Sequence, residues 1–145
     1  MTAADDQQNA LSEETSDPDT FLPKAILKDH STPLPYYLEH VFPFQFPFYK
    51  DEVYGENYGW FQKLFQLCQP LCHATLALSA CHCRTAASPD NKHNHPIPTL
   101  VEQEWHLRQA IKHLTRLAQN SCPESGLGVV LTVIQLVYYE VRLLQ

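Results

Sequence analysis

Glycine is scarce in this chain: Gly55, Gly59, Gly126 and Gly128 are the only four among 145 residues. No Gly-x-Gly-x-x-Gly run is present to bring backbone N–H groups against a phosphate, so nucleotide-dependent chemistry has no support. Clustered positive charge is missing as well. The ten Lys and Arg are outnumbered by sixteen Asp and Glu, for a formal charge of −6. Phosphate binding depends on grouped Lys and Arg that release counterions, so direct nucleic-acid binding by this chain is not expected. The N-terminus has no basic flank leading into an apolar run, which excludes the pattern of a secretory signal. No stretch approaches the ~18 consecutive apolar residues of a membrane span. The longest, Leu127 to Tyr139, is interrupted by Thr132 and Gln135 and reads as a buried helix. Five cysteines are an odd number. Without an export signal they are expected as free thiols in a reducing compartment, in an intracellular and not a secreted protein.

Hydrophobic residues make up 44% of the sequence and charged residues 18%, which is globular in bulk. The two kinds are unevenly spread. Asp5, Asp6, Glu13, Glu14, Asp17 and Asp19 crowd the front without a Lys or Arg, and the remainder carries ten acids against ten bases. The front is polar and proline-bearing, with one short apolar island at Phe21, Leu22, Ala25, Ile26 and Leu27. Burial on that scale does not offset the entropy of ordering, so residues 1–34 are expected as a disordered acidic arm. Residues 35–145 then form one helical domain.

That domain opens on aromatics and prolines. A short helical turn at Tyr36–Phe42, followed by an extended aromatic segment to Tyr49, is the expectation, because each proline lacks a donor and restricts the residue before it. Alternate rings of the segment would cover a helical core. Tyr58, Phe61, Leu64, Phe65 and Leu67 then recur at helical spacing from Glu56 to Leu67, with Gly55 or Asn57 at the opening. Pro70 suits a first helical position. From there to about Ala87 the sequence is small and apolar on nearly every side, as a central helix approached from several directions would be.

Ser88–Pro98 reads as a polar loop, and Thr99 with Glu102 forms a capping box for the following helix. Leu100, Leu107, Ala110, Ile111, Leu114, Leu117 and Ala118 make its apolar stripe. Ser121 and Glu124 repeat the capping pattern around Pro123 before a last helix from Glu124 to Gln145. That helix is apolar almost all round, and its burial calls for partners beyond this chain, which points to truncation of a larger helical domain. The fold class is all-α: an irregular bundle of about four to five helices with an extended aromatic, proline-rich segment.

Cys68, Cys72, His73, Cys81, His82 and Cys83, with His93 and His95 beyond them, invite a zinc reading. Their spacing opposes it. Structural zinc ligands come in close pairs on knuckles or loops, whereas Cys72 and Cys81 are nine positions apart on one helix, two and a half turns, and point to opposite sides. Buried structural thiols are the better reading. A nucleophilic cysteine needs an electropositive, partly exposed setting and a third group orienting its histidine, and the pattern around His73 and His82 supplies neither. His106 and His113, seven positions apart, read as edge-of-core residues. No catalytic, cofactor-binding or metal-ligating residue is assigned.

Three stretches resemble a known family: Tyr37, Leu38 and Val41 through Tyr49, reading VFPFQFPFY; Gly59 with Trp60; and PLCHATLALSACH from Pro70 to His82. His106, Ala110, Ile111 and Leu114, then Tyr139, Glu140 and Val141, continue the likeness. Together they are similar to the N-terminal part of the fungal-specific transcription factor domain, the helical regulatory domain found downstream of six-cysteine binuclear zinc clusters. The resemblance covers residues 34 to 145. It implies an all-α, nuclear, non-catalytic regulatory domain acting through protein contacts with a related transcription factor or coregulator, or through small effectors. The cysteine cluster is replaced here by the acidic front, and the family's later helices are missing after Leu144. A degenerate gene product without its own function, or a small zinc-binding protein, are the competing expectations.

Overall fold

The proline-interrupted aromatic stretch is helical as far as Gln45. A computed structural model describes residues 33–49, 58–87, 97–120 and 126–145. Its first helix, α1, is α-helical over Pro33–Tyr36, π-helical over Tyr37–Val41 and α-helical again over Phe42–Gln45. The expected extended segment after Phe42 is corrected: the helix continues past Pro43. A proline within a helix has no N–H to donate, and its ring presses on the carbonyl four residues back. Here the Phe42 N–H instead reaches the Tyr37 carbonyl, five residues back. The backbone is therefore widened just before the proline, which lets the helix absorb it.

An extended strand would place Phe42, Phe44, Phe46 and Phe48 on one face. The observed fold separates them: Phe42 on the helix is buried and Phe46 just past its end is half-buried, while Phe44 on the helix and Phe48 beyond it stand in solvent. Phe42 lies within 4.7 Å of Phe46, 4.9 Å of Tyr58 and 5.3 Å of Tyr49, centroid to centroid, with ring planes tilted or edge-on. That geometry sets ring edges against ring faces. Trp60 closes the cluster by donating from Nε1 to the Tyr49 hydroxyl at 3.0 Å.

The second helix, α2, spans Gly59–Leu67. Tyr58 caps it in a left-handed conformation, φ 62°, a backbone state that costs a non-glycine residue energy and persists where packing holds it. Tyr58 is held by its rings' contacts with Phe42 and Tyr49. Gly55 and Asn57, the sequence's candidate openers, lie outside the described residues.

The third helix, α3, spans Gln69–Ala86 and is the central one, as its small residues foretell. Pro70, Leu71, every residue from Ala74 to Cys81, and Cys83 are buried. Helices α4, Leu100–Asn120, and α5, Gly126–Leu143, pack along it on different sides and touch each other little. The chain is all-α, and no strand occurs among the described residues. Side chains as buried as Leu71 and Phe61 each contribute about 1.5–3 kcal/mol of transfer free energy.

The capping box forms as read. The Thr99 N–H donates to Glu102 Oε2 at 2.6 Å, and the Glu102 N–H returns to Thr99 Oγ1 at 3.2 Å. The Ser88–Pro98 loop and the Ser121–Glu124 box fall mainly on 88–96 and 121–125, outside the described residues, as does nearly all of the 1–34 arm. The apolar stripe of α4 holds in part: Ala110 is buried and Leu107 packs against the core, but Leu100 and Ile111 are half in solvent and Ala118 is exposed, while the polar Gln103 and His106 also face inward. The reason is chemical: α3 presents Arg84 and His73 to α4, and these need polar partners rather than leucines.

Helix α5 is long and apolar enough, by length and composition, to cross a membrane. It is not buried all round. One face, Gly128, Leu131, Thr132, Gln135 and Tyr139, lies inside the protein, and Thr132 turns its hydroxyl back onto the Gly128 carbonyl at 2.6 Å.

Candidate interaction surface

The sequence's candidate ligands on α3 do not converge. Cys68 sits in extended backbone between α2 and α3, with Cys72 beside it one turn on. Cys81 lies nearer the other end, within the electrostatic reach of Arg84 and Arg142. Burial pushes the Cys72 thiol up to about 11, helped by Cys68, and raises Cys81 and Cys83 as well. Thiols in such surroundings stay protonated, the reverse of an activated nucleophile. Among the described residues no group of three or more His, Cys, Asp or Glu is placed to hold a metal ion. His93, His95 and Cys122 lie outside them.

The histidines do something the linear pattern hides. His73 of α3 meets His106 of α4, Nδ1 to Nδ1, at 3.0 Å. One ring must present N–H and the other a lone pair. His113 stacks on His73 at 5.7 Å with planes 3° apart, and Trp105 packs edge-on to His73 at 5.3 Å. The seven-residue spacing of His106 and His113 places both on one face of α4, but no local signal names His73 as their target. Further along α3, His82 meets the Tyr36 hydroxyl at 2.9 Å. Burial and the nearby Arg142 and His40 hold the His82 pKa below its ordinary value.

Two polar networks stitch α5 to the rest, and neither was legible in the sequence. Tyr37 donates to Gln45 Oε1 at 2.6 Å, Gln45 Nε2 donates to Gln135 Oε1 at 3.0 Å, and Gln135 Nε2 donates back to the Tyr37 hydroxyl at 2.6 Å. All three are buried, so this closed ring of donors and acceptors satisfies groups whose isolation would be costly. In the second network Arg84 donates to Gln103 at 2.9 Å, and Gln103 donates to the Tyr139 hydroxyl at 2.8 Å. Gly128 lets α5 come this close. A Cβ there would stand 2.7 Å from Cys68 Sγ.

These networks fix which side of α5 faces out. Val130, Val133, Val137 and Val141 are each about half exposed, and Leu144 beyond them is 87% exposed. Phe44, from α1, flanks the stripe's C-terminal half. It lines a shallow groove of about 210 Å³ with Tyr138, Val141 and Arg142. Monomeric proteins seldom display contiguous apolar faces of this kind, and where they occur they mark contact sites.

Residues 33–142 match the family described as "Fungal specific transcription factor domain". The chain belongs to that family. A relative with this fungal domain's likeness is "Pestheic acid cluster transcriptional regulator 3" of Pestalotiopsis fici (strain W106-1 / CGMCC3.15140), 32% identical over 114 residues. The matched stretch is 74% of this chain and 20% of the relative, so the chain spans about a fifth of the length of the curated regulator it matches. No solved structure matches the chain. Family and relative are transcription regulators, not enzymes. The family match takes in every described helix, including the one that presents the apolar stripe.

Proposed function

We propose that this chain is a non-catalytic regulatory segment of the fungal transcription factor type, nuclear, working through protein contacts made by the outer face of α5. The observation that carries the reading is the orientation of α5. Its polar residues Thr132 and Gln135 and the hydroxyl of Tyr139 are spent inside the protein, and Val130, Val133, Val137 and Val141 are left outside. Burying that face against a protein removes it from water and repays the contact.

A DNA-reading role for this chain itself has little to rest on. The binuclear cluster takes six cysteines, and this chain has five. Cys68, Cys81 and Cys83 are buried, the first just before α3 and the other two on it. Outside the acidic front the charge is balanced, without the basic excess that phosphate contact needs. The partner is accordingly a related transcription factor or a coregulator.

The test is expression of the chain in a fungal host carrying a reporter driven by a full-length regulator of this family. The chain lowers reporter output by occupying the regulator without adding DNA contacts, and the double variant V133E/V141E does not. Reporter output that ignores the chain, or that falls equally with the variant, contradicts the reading.

A further inference from the structure

Ends of four helices meet at one cleft. The last turn of α2, the first turns of α3 and α5 and the last two turns of α4 enclose about 570 Å³, a volume within the range of small-molecule pockets. Leu64, Leu67, Leu117 and Leu127 supply its apolar walls. Leu67 is 83% exposed and Leu127 56%, so the fold leaves both without cover. On α4, His113, Arg116, Leu117 and Asn120 all line the cleft, and their spacing of three, one and three residues puts them on one face of that helix.

The charge of the cleft has one sign. No Asp or Glu is among its described lining residues. Among the described residues the ion pairs join Glu39 to His40 and Glu104 to Arg108, and Arg116 meets no carboxylate. Burial, with Arg116 and Lys112 nearby, holds the His113 pKa below its ordinary value. Positive potential is thus concentrated at the end of α4 that faces the leucines.

We propose that this cleft binds a small amphiphilic acid, its apolar body against the four leucines and its carboxylate on the Arg116 guanidinium. A planar guanidinium can hold both oxygens of a carboxylate, and an apolar body covering the leucines removes their surface from water. Helices α4 and α5 touch each other little, and a ligand lodged between Leu117 and Leu127 bridges them. The inference goes beyond the protein contacts proposed for the outer face of α5 and does not depend on them.

The test titrates the full chain with decanoate, decanol and decylamine at submillimolar concentration, read by calorimetry and by melting midpoint. Decanoate binds once per chain and raises the midpoint. Decanol binds about tenfold more weakly, because the charge-assisted bond to Arg116 is lost, and decylamine does not bind. R116Q removes the advantage of decanoate over decanol while the ligand-free chain keeps its midpoint. L67W, at an exposed position, fills the cleft and weakens both ligands. Equal affinity for decanoate and decanol, uptake of several molecules without saturation, or unchanged binding to R116Q or L67W overturns the proposal. So does a peptide of residues 15–29 that binds at lower concentration than decanoate, since the cleft would then suit the chain's own acidic front better than a small acid.

Discussion

The Tyr37 hydroxyl and Gln135 Nε2 lie 98 positions apart in the chain and 2.6 Å apart in space. With Gln45 between them they tie the first helix to the last through the interior, so α1 and α5 hold a fixed register on α3. A buried ring of this kind gives little net energy when complete and is costly when broken.

Removal of one member should therefore cost more than its own bonds suggest. Tyr37→Phe leaves Gln45 Oε1 and Gln135 Nε2 unpaired and should lower stability by about 1–3 kcal/mol. Gln135→Leu should do the same. The triple variant, with Gln45→Leu added, should lose less than the sum of its single changes, because no orphaned group remains. Urea unfolding of the three singles and the triple decides it, and strict additivity would count against the closed ring.

Gly128 is a contact requirement. An added Cβ would meet Cys68 Sγ at 2.7 Å, whereas at Gly126 nothing lies within 4 Å. Gly128→Ala should destabilise by about 1–3 kcal/mol through overpacking. Gly126→Ala should be neutral or stabilise by up to about 1 kcal/mol. Adding Cys68→Ala to Gly128→Ala should recover part of the loss. Equal melting midpoints for the two glycine variants would refute the close approach.

Alkali should weaken the fold before it titrates an unfolded chain's lysines. Burial raises Cys72 from 9.0 to about 11 and Tyr36 from 10.0 to about 12. A group whose folded pKa is raised holds its proton more tightly when folded. Its stabilisation is whole below the unfolded value and disappears as pH rises to the folded one. Melting midpoints should thus fall between pH 9 and about 11, and Cys72→Ala should flatten the first part of that fall. A midpoint that holds constant from pH 8.5 to 10.5 would show the thiol to be solvated.

Much of the fold was legible because it is locally encoded. The all-round small apolar character of Pro70–Cys83 announces a helix buried on every side, and α3 is that helix. Thr99 and Glu102 announce a helix start through bonds within four residues. The aromatic segment misleads because prolines argue for extension, while the π turn that accommodates Pro43 leaves no mark in composition. On α4, leucine and isoleucine spacing points to one face, but the neighbours on α3 pull Gln103 and His106 inward instead.

By itself the sequence determined the four helices from α2 to α5, the central place of α3 and the apolar excess of the last helix, since periodicity, caps and side-chain size act over a few residues. The tertiary structure alone decided which face of α5 looks outward. That choice belongs to Tyr37, Gln45 and Gln103, which lie far off in the chain and draw Gln135 and Tyr139 inward because buried amides and hydroxyls must find partners.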